Sequence, residues 1–211
     1  IFVFLSGVSG WLQLNKYKQR GTARFFISRG LWLIVMEWTV VALVWTFDPG
    51  FHFIPFQVIW AIGISMLVLG LLLYVGVKTW GFLILGIIII CAHNTLDGLE
   101  NTAGFESNFW LDILHNGRFS AYHWAPDHII VIVYPFLPWL GIMMLGFGMG
   151  RLFGHEQNEQ SRRKILFALS AFLLAVFVVL RGSRMYGDSI DWTSFDSFQK
   201  TLMSFLNVRK Y

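Results

Sequence analysis

The sequence predicts an all-α fold, a polytopic transmembrane helix bundle of about five full spans with a truncated one before them. Three observations carry this. Of the 211 residues, 56% are hydrophobic and 13% charged, and that charged share is about half of what a soluble domain carries. Apolar stretches near membrane length recur along the chain. The connections between those stretches alternate in charge.

The opening "IFVFLSGVSGWLQL" is apolar but too short to cross a bilayer. It also lacks the basic start and small-residue cleavage site of a signal peptide. The chain therefore reads as an internal fragment of a longer protein, one membrane domain over 1–211, with no internal repeat. Full spans are expected at roughly 30–47, 57–75, 79–93, 128–150 and 164–181, since about 20 helical residues cross the hydrocarbon core. Trp80, Trp110, Trp124, Trp139 and Trp192 fall near the expected span ends, as an aromatic belt would. Cys91 is the single cysteine, which excludes a disulfide framework and a cysteine zinc site.

The first connection, "NKYKQRGTARFFISR", holds Lys16, Lys18, Arg20, Arg24 and Arg29 and no acid. The stretch 94–127 carries Asp97, Glu100, Glu106, Asp112 and Asp127 against Arg118 alone. "RLFGHEQNEQSRRK" is basic again, and 182–200 is acid-rich. "FDPGFHFIPF", the second connection, has one acid and no Lys or Arg, and the third, "GVKT", has Lys78. The positive-inside rule then puts the first, third and fifth connections in the cytoplasm and loop 94–127 outside it. The basic residues are accounted for by topology, so the expected partner is the lipid bilayer and not nucleic acid.

Five features bear on chemistry. In "HNTLDGLE", a continued helix would put His93, Asp97 and Glu100 on one face at i, i+4 and i+7. That face offers an imidazole and carboxylates for acid–base work, although a water-facing helix end would use the same residues. "WLDILHNGRF" sets Asp112 and His115 at i, i+3, and His123, Asp127 and His128 follow, with no HExxH-type spacing and hence no metal expected. Glu37 stands alone inside "GLWLIVMEWTVVALVW" and must face the bundle interior, where Arg29, on roughly the same face, could pair with it. "GFGMG" at 146–150 reads as close helix packing through Gly146 and Gly150, because no strand precedes it as a phosphate loop requires. Pro135 and Pro138 should break the span that contains them beside an internal pocket.

"FVFLSGVSGWL", "SRGLWLIVMEWTVV", "QVIWAIGISM", "HNTLDGL", "VYPFLPWLGIMMLGFGMG", "RRKILF", "FVVLRGSRMYGD" and "SFLNVRKY" occur in this order. In them the chain resembles bacterial relatives of the heparan-α-glucosaminide N-acetyltransferase catalytic domain, over nearly its whole length. The resemblance implies a bacterial inner-membrane acyltransferase that takes acetyl-CoA as co-substrate from the cytosolic side. It passes the acetyl group to a sugar or glycan amine on the other side. It also implies a catalytic histidine upstream of Ile1. Within the chain, the candidates are His93, Asp97, Asp112, His115 and Asp188 around the reaction, with Arg24 and Arg29 toward the CoA phosphates. A proton- or ion-coupled transporter relaying through Glu37, His93 and Asp97 is the main rival, and a non-catalytic scaffold the third reading. A homo-oligomer is compatible with the sequence.

Overall fold

The computed structural model describes residues 1–100, 105–116, 119–154, 157–184 and 191–208, with the side chains at 15 and 98–100 outside it. Residues Ile1–His155 and Glu156–Tyr211 form two compact units.

In the first unit, α1 (Phe2–Leu12) leads into α2 (Leu14–Met36), a π-helical turn at Glu37–Val41 and α3 (Ala42–Thr46). The basic stretch expected as a connection is thus helical. Lys, Arg and Gln are good helix formers, and the one break is at Lys18, with φ 56° and ψ 178°. An Asp48–Pro49–Gly50 turn precedes β1 (Phe53–Phe56), followed by α4 (Val58–Val75) and α5 (Thr79–Ala92). Gly76 ends α4 in the left-handed conformation, φ 105°, which glycine adopts without a Cβ clash. After a turn come α6 (Thr95–Glu100), the short α7 (Phe109–Leu111), a second π-helical turn (Asp112–Asn116), β2 (Ser120–Ala125), β3 (His128–Ile132) and α8 (Leu137–Met149).

The all-α expectation is corrected by these three strands, which form one sheet in the order β1–β3–β2. β1 runs parallel to β3, pairing Phe53 with Ile129, and β2 runs antiparallel to β3, pairing Ser120 with Ile132. The span expected at 128–150 is therefore a strand plus a short helix. Pro135 sits between them, where a missing N–H and a fixed φ stop either element from continuing. Among the described residues, four helices are long and apolar enough to cross a membrane: Lys16–Thr46, Val58–Val75, Thr79–Asp97 and Glu159–Ser183.

Small residues set the helix spacing. A Cβ on Gly7 would stand 2.1 Å from the Met143 carbonyl oxygen, and one on Gly146 2.0 Å from that of Phe4, so α1 and α8 touch backbone to backbone. Gly30 and Gly63 do the same for α2 and α4. Phe26 and Phe82 both meet Phe147 edge-on, at 6.2 and 4.9 Å, in one core. Ile34, Phe56, Trp60, Ala61, Ile113 and Ile132 form a second core, which joins the helices to the sheet.

In the second unit, α9 (Glu159–Ser183) starts at an Asn158 cap whose side chain accepts from the Gln160 N–H at 2.9 Å. It precedes α10 (Phe198–Leu206), and Arg181 donates to the carbonyls of Ser204, Phe205 and Asn207. A guanidinium there satisfies the last carbonyls of α10 and complements the negative end of its dipole.

Candidate active site

The site is built where the second core meets the sheet. Asn108 starts it: its side chain accepts from the Trp110 and Leu111 N–H groups, both at 3.1 Å, and winds the chain into α7. The π-helical turn that follows carries Asp112, Ile113 and His115 inward, and the Phe136 N–H bonds to the Ile113 carbonyl at 2.9 Å to tie the turn to the start of α8. Asp112 and His115 are each 1% exposed.

A carboxylate so buried needs partners. Asp112 Oδ2 accepts from the Tyr122 hydroxyl at 2.6 Å, and Oδ1 accepts a short bond from the Ser107 hydroxyl. Tyr122 comes from β2, where alternate residues turn toward the core. Burial, then the hydrogen bond and charge of Asp112, push the Tyr122 phenol up to about 12, so it remains a donor throughout the physiological range.

His115 Nε2 lies 3.7 Å from Asp97 Oδ1, and its ring meets that of His93 edge-on at 5.9 Å. His93 follows the last turn of α5, and its Nδ1 sits 2.9 Å from the Ile90 carbonyl and 3.2 Å from that of Ile89. A carbonyl only accepts, so Nδ1 carries the proton and the lone pair of the neutral ring is on Nε2. The helical continuation expected past Ala92 is interrupted by a turn at 93–94. His93 and Asp97 nonetheless meet at one place, through His115.

Four of the candidates, His93, Asp97, Asp112 and His115, are therefore brought together. Asp188 and the Glu100 side chain lie outside the described residues. Arg24 and Arg29 are exposed on α2, with the Arg29 guanidinium 5.6 Å from the Phe25 ring centre. At ~1.5 Å per residue they stand roughly 20 and 12 Å along the helix from Glu37. Glu37 does not pair with Arg29; its Oε1 accepts from the Gln57 N–H at 3.1 Å, at the start of α4. An N–H left without a partner by the helix, at the positive end of its dipole, explains why a carboxylate is tolerated there.

Sequence reasoning missed Tyr122 and Ser107, the partners of Asp112. The alternation in "SAYHWA" signals a strand, but no local pattern couples it to residue 112. It also missed a turn in which Asp48 Oδ2 accepts from the N–H and Nδ1 of His52 at 2.8 and 2.7 Å, while Oδ1 accepts from the Gly50 N–H at 2.8 Å. The His52 ring in turn meets His128 at 4.8 Å. Among the described residues, no group of three or more His, Cys, Asp or Glu is placed to hold a metal ion.

Residues 1–184 match the family model described as heparan-alpha-glucosaminide N-acetyltransferase, catalytic. The chain belongs to this family. The part matching the heparan-α-glucosaminide N-acetyltransferase model contains His93, Asp97, Asp112, His115 and Tyr122, while Asp188 lies beyond it. Membership, with the long apolar helices, makes the chain an acyltransferase-like membrane protein. No curated protein and no solved structure matches it.

Proposed function

We propose that this chain moves an acetyl group from acetyl-CoA to the amine of an amino-sugar or glycan on the extracytoplasmic side of a bacterial inner membrane. Family membership supports the class of reaction. The observation that carries the site is the meeting of His93, His115 and Asp97 beside the buried Asp112–Tyr122 pair.

The thioester supplies an activated acyl carbon. The acceptor nitrogen forms its bond to that carbon as the carbon–sulfur bond breaks. In this reading His93 Nε2 takes the proton that the amine releases, and the proton passes to the departing thiolate, so the charges balance. His115, with Asp97 beside it, holds the His93 ring edge-on. Asp112, fixed by Tyr122 and Ser107, keeps the turn that carries His115 in place. Arg24 and Arg29 are cationic and exposed, a donor set suited to CoA phosphates. Their displacement along α2 from the sheet end fits a donor and an acceptor arriving from opposite sides.

The test uses the full-length protein in sealed, oriented vesicles with acetyl-labelled CoA inside and glucosamine outside. Label is expected on the outer amine. His93→Ala and Asp97→Asn are each expected to lower transfer by roughly 100-fold or more, with CoA binding retained. Unchanged transfer in both variants would move the proton-handling group elsewhere.

A further inference from the structure

A second polar group of atoms lies in the same core and is not used by the chemistry above. Glu37 is 1% exposed, opens the first π-helical turn and spends one oxygen on the Gln57 N–H. Among the described residues its other oxygen, Oε2, makes no hydrogen bond of ordinary geometry, although the Trp60 backbone N–H also acts on the carboxylate, and the buried indole nitrogens of Trp38 and Trp60 have no partner. The three residues are neighbours. Trp38 stacks on Phe56 at 5.2 Å and on Trp60 at 5.8 Å, and Gln57, which holds Glu37, lies between Phe56 and Trp60 in the chain.

Buried polar atoms without a partner are rare in folded proteins and cost about 1–3 kcal/mol each. Here two are donors and one is an acceptor. A π-helical turn inside an otherwise regular helix is frequently a functional feature. A hydroxyl both donates and accepts, so a hydroxyl-bearing ring can give an O–H to Glu37 and lone pairs to the indoles. An aromatic wall with a few placed polar groups is the usual make-up of a small-molecule site. That wall continues from Trp60 to Phe56, from Phe56 to Phe109 at 6.4 Å and from Phe109 to Tyr122 at 5.2 Å, which is the partner of Asp112.

We propose that Glu37, Trp38 and Trp60 form a hydroxyl-recognition subsite that holds the sugar ring of the acceptor, on the aromatic wall that leads to the Asp112–Tyr122 pair. This deepens the acetyl-transfer reading and rests on it for the acceptor's identity.

The probe is methyl glucoside, which has the ring hydroxyls and no amine to acylate, titrated into the full-length protein in lipid nanodiscs. Wild type is expected to bind it. Trp38→Phe and Trp60→Phe each remove one N–H and keep a ring, and each should weaken binding by roughly 2- to 10-fold. Glu37→Gln keeps the acceptor for Gln57 and should weaken it by roughly 10- to 100-fold. In the transfer assay the same variants should raise the KM for glucosamine and leave kcat nearly unchanged, which a merely structural defect would not do.

Binding equal to wild type in folded Trp38→Phe and Trp60→Phe would overturn the subsite, the indoles then being satisfied by water alone. So would a wild type that binds neither methyl glucoside nor glucosamine. Sugar binding that responds to the variants, with no label transferred, would support the subsite and sink the transfer reading. Transfer with an unchanged KM in all variants would do the reverse.

Discussion

Asp112 accepts on both oxygens, and Tyr122 is locked to one of them. Because the phenol is raised to about 12, its bond contributes stability that is fully present below the ordinary tyrosine value of about 10. That contribution is lost as pH rises through about 12. Ultraviolet titration, read as the difference between wild type and Tyr122→Phe, should show this phenol ionising last, and Asp112→Asn should bring it back toward about 10. Asp48 is the opposite case. The backbone N–H of His52, then that of Gly50 and the His52 ring, hold its carboxyl below the usual value. The turn is therefore stabilised above the ordinary carboxylate range of about 4 and loosens as pH falls through the lowered value. Asp48→Asn should flatten the acid side of a thermal-stability profile against pH, and an unaltered profile would show that the turn adds nothing. The candidate residues were visible in the sequence as residue types, but their pairing was not. Asp112 and His115 stand out as polar groups in an apolar setting, whereas Ser107 and Tyr122 look ordinary until the sheet brings Tyr122 beside the π-helical turn.

The elements differ in how far the sequence betrayed them, and the physical reasons are specific. The 57–75 and 79–93 stretches are long apolar runs and became α4 and α5 with ends shifted by a residue. The 128–150 stretch misled because "HIIVI" is a short apolar run, which periodicity cannot tell from the start of a helix. β1 contains Pro55, which argues against a strand unless it lies at an edge, where it in fact lies. "GFGMG" was legible as packing: a Cβ on Gly150 would stand 2.3 Å from Trp11 Cβ, and Gly146 abuts Phe4. Gly146→Ala should force α1 and α8 apart and lower stability by roughly 1–3 kcal/mol or more, measured as a lower melting temperature in detergent. Gly182→Ala, where a Cβ meets nothing within 4 Å, is the control and should leave the melting temperature nearly unchanged.

At the scale of the molecule, the apolar composition was enough to announce a membrane protein, and the four long apolar helices agree with it. The side of the membrane that each end faces rests on the charge pattern of the connections. Cys91 is the single cysteine within residues 1–211, so with Cys91→Ser, and with any cysteine outside this stretch also replaced by serine, Thr95→Cys reports on one place only. An impermeant maleimide is expected to label it from outside intact cells, and labelling only after lysis would invert the topology. The parallel pairing of Phe53 with Ile129 also dictates an order of assembly. Contacts so distant in sequence close slowly, since the chain between them must first be confined. That intervening chain contains α4 and α5, two helices of membrane length. During synthesis both are made before β3 emerges to meet β1. A nascent chain halted between Ala92 and His128 therefore holds α4 and α5 but lacks the β1–β3 pairing.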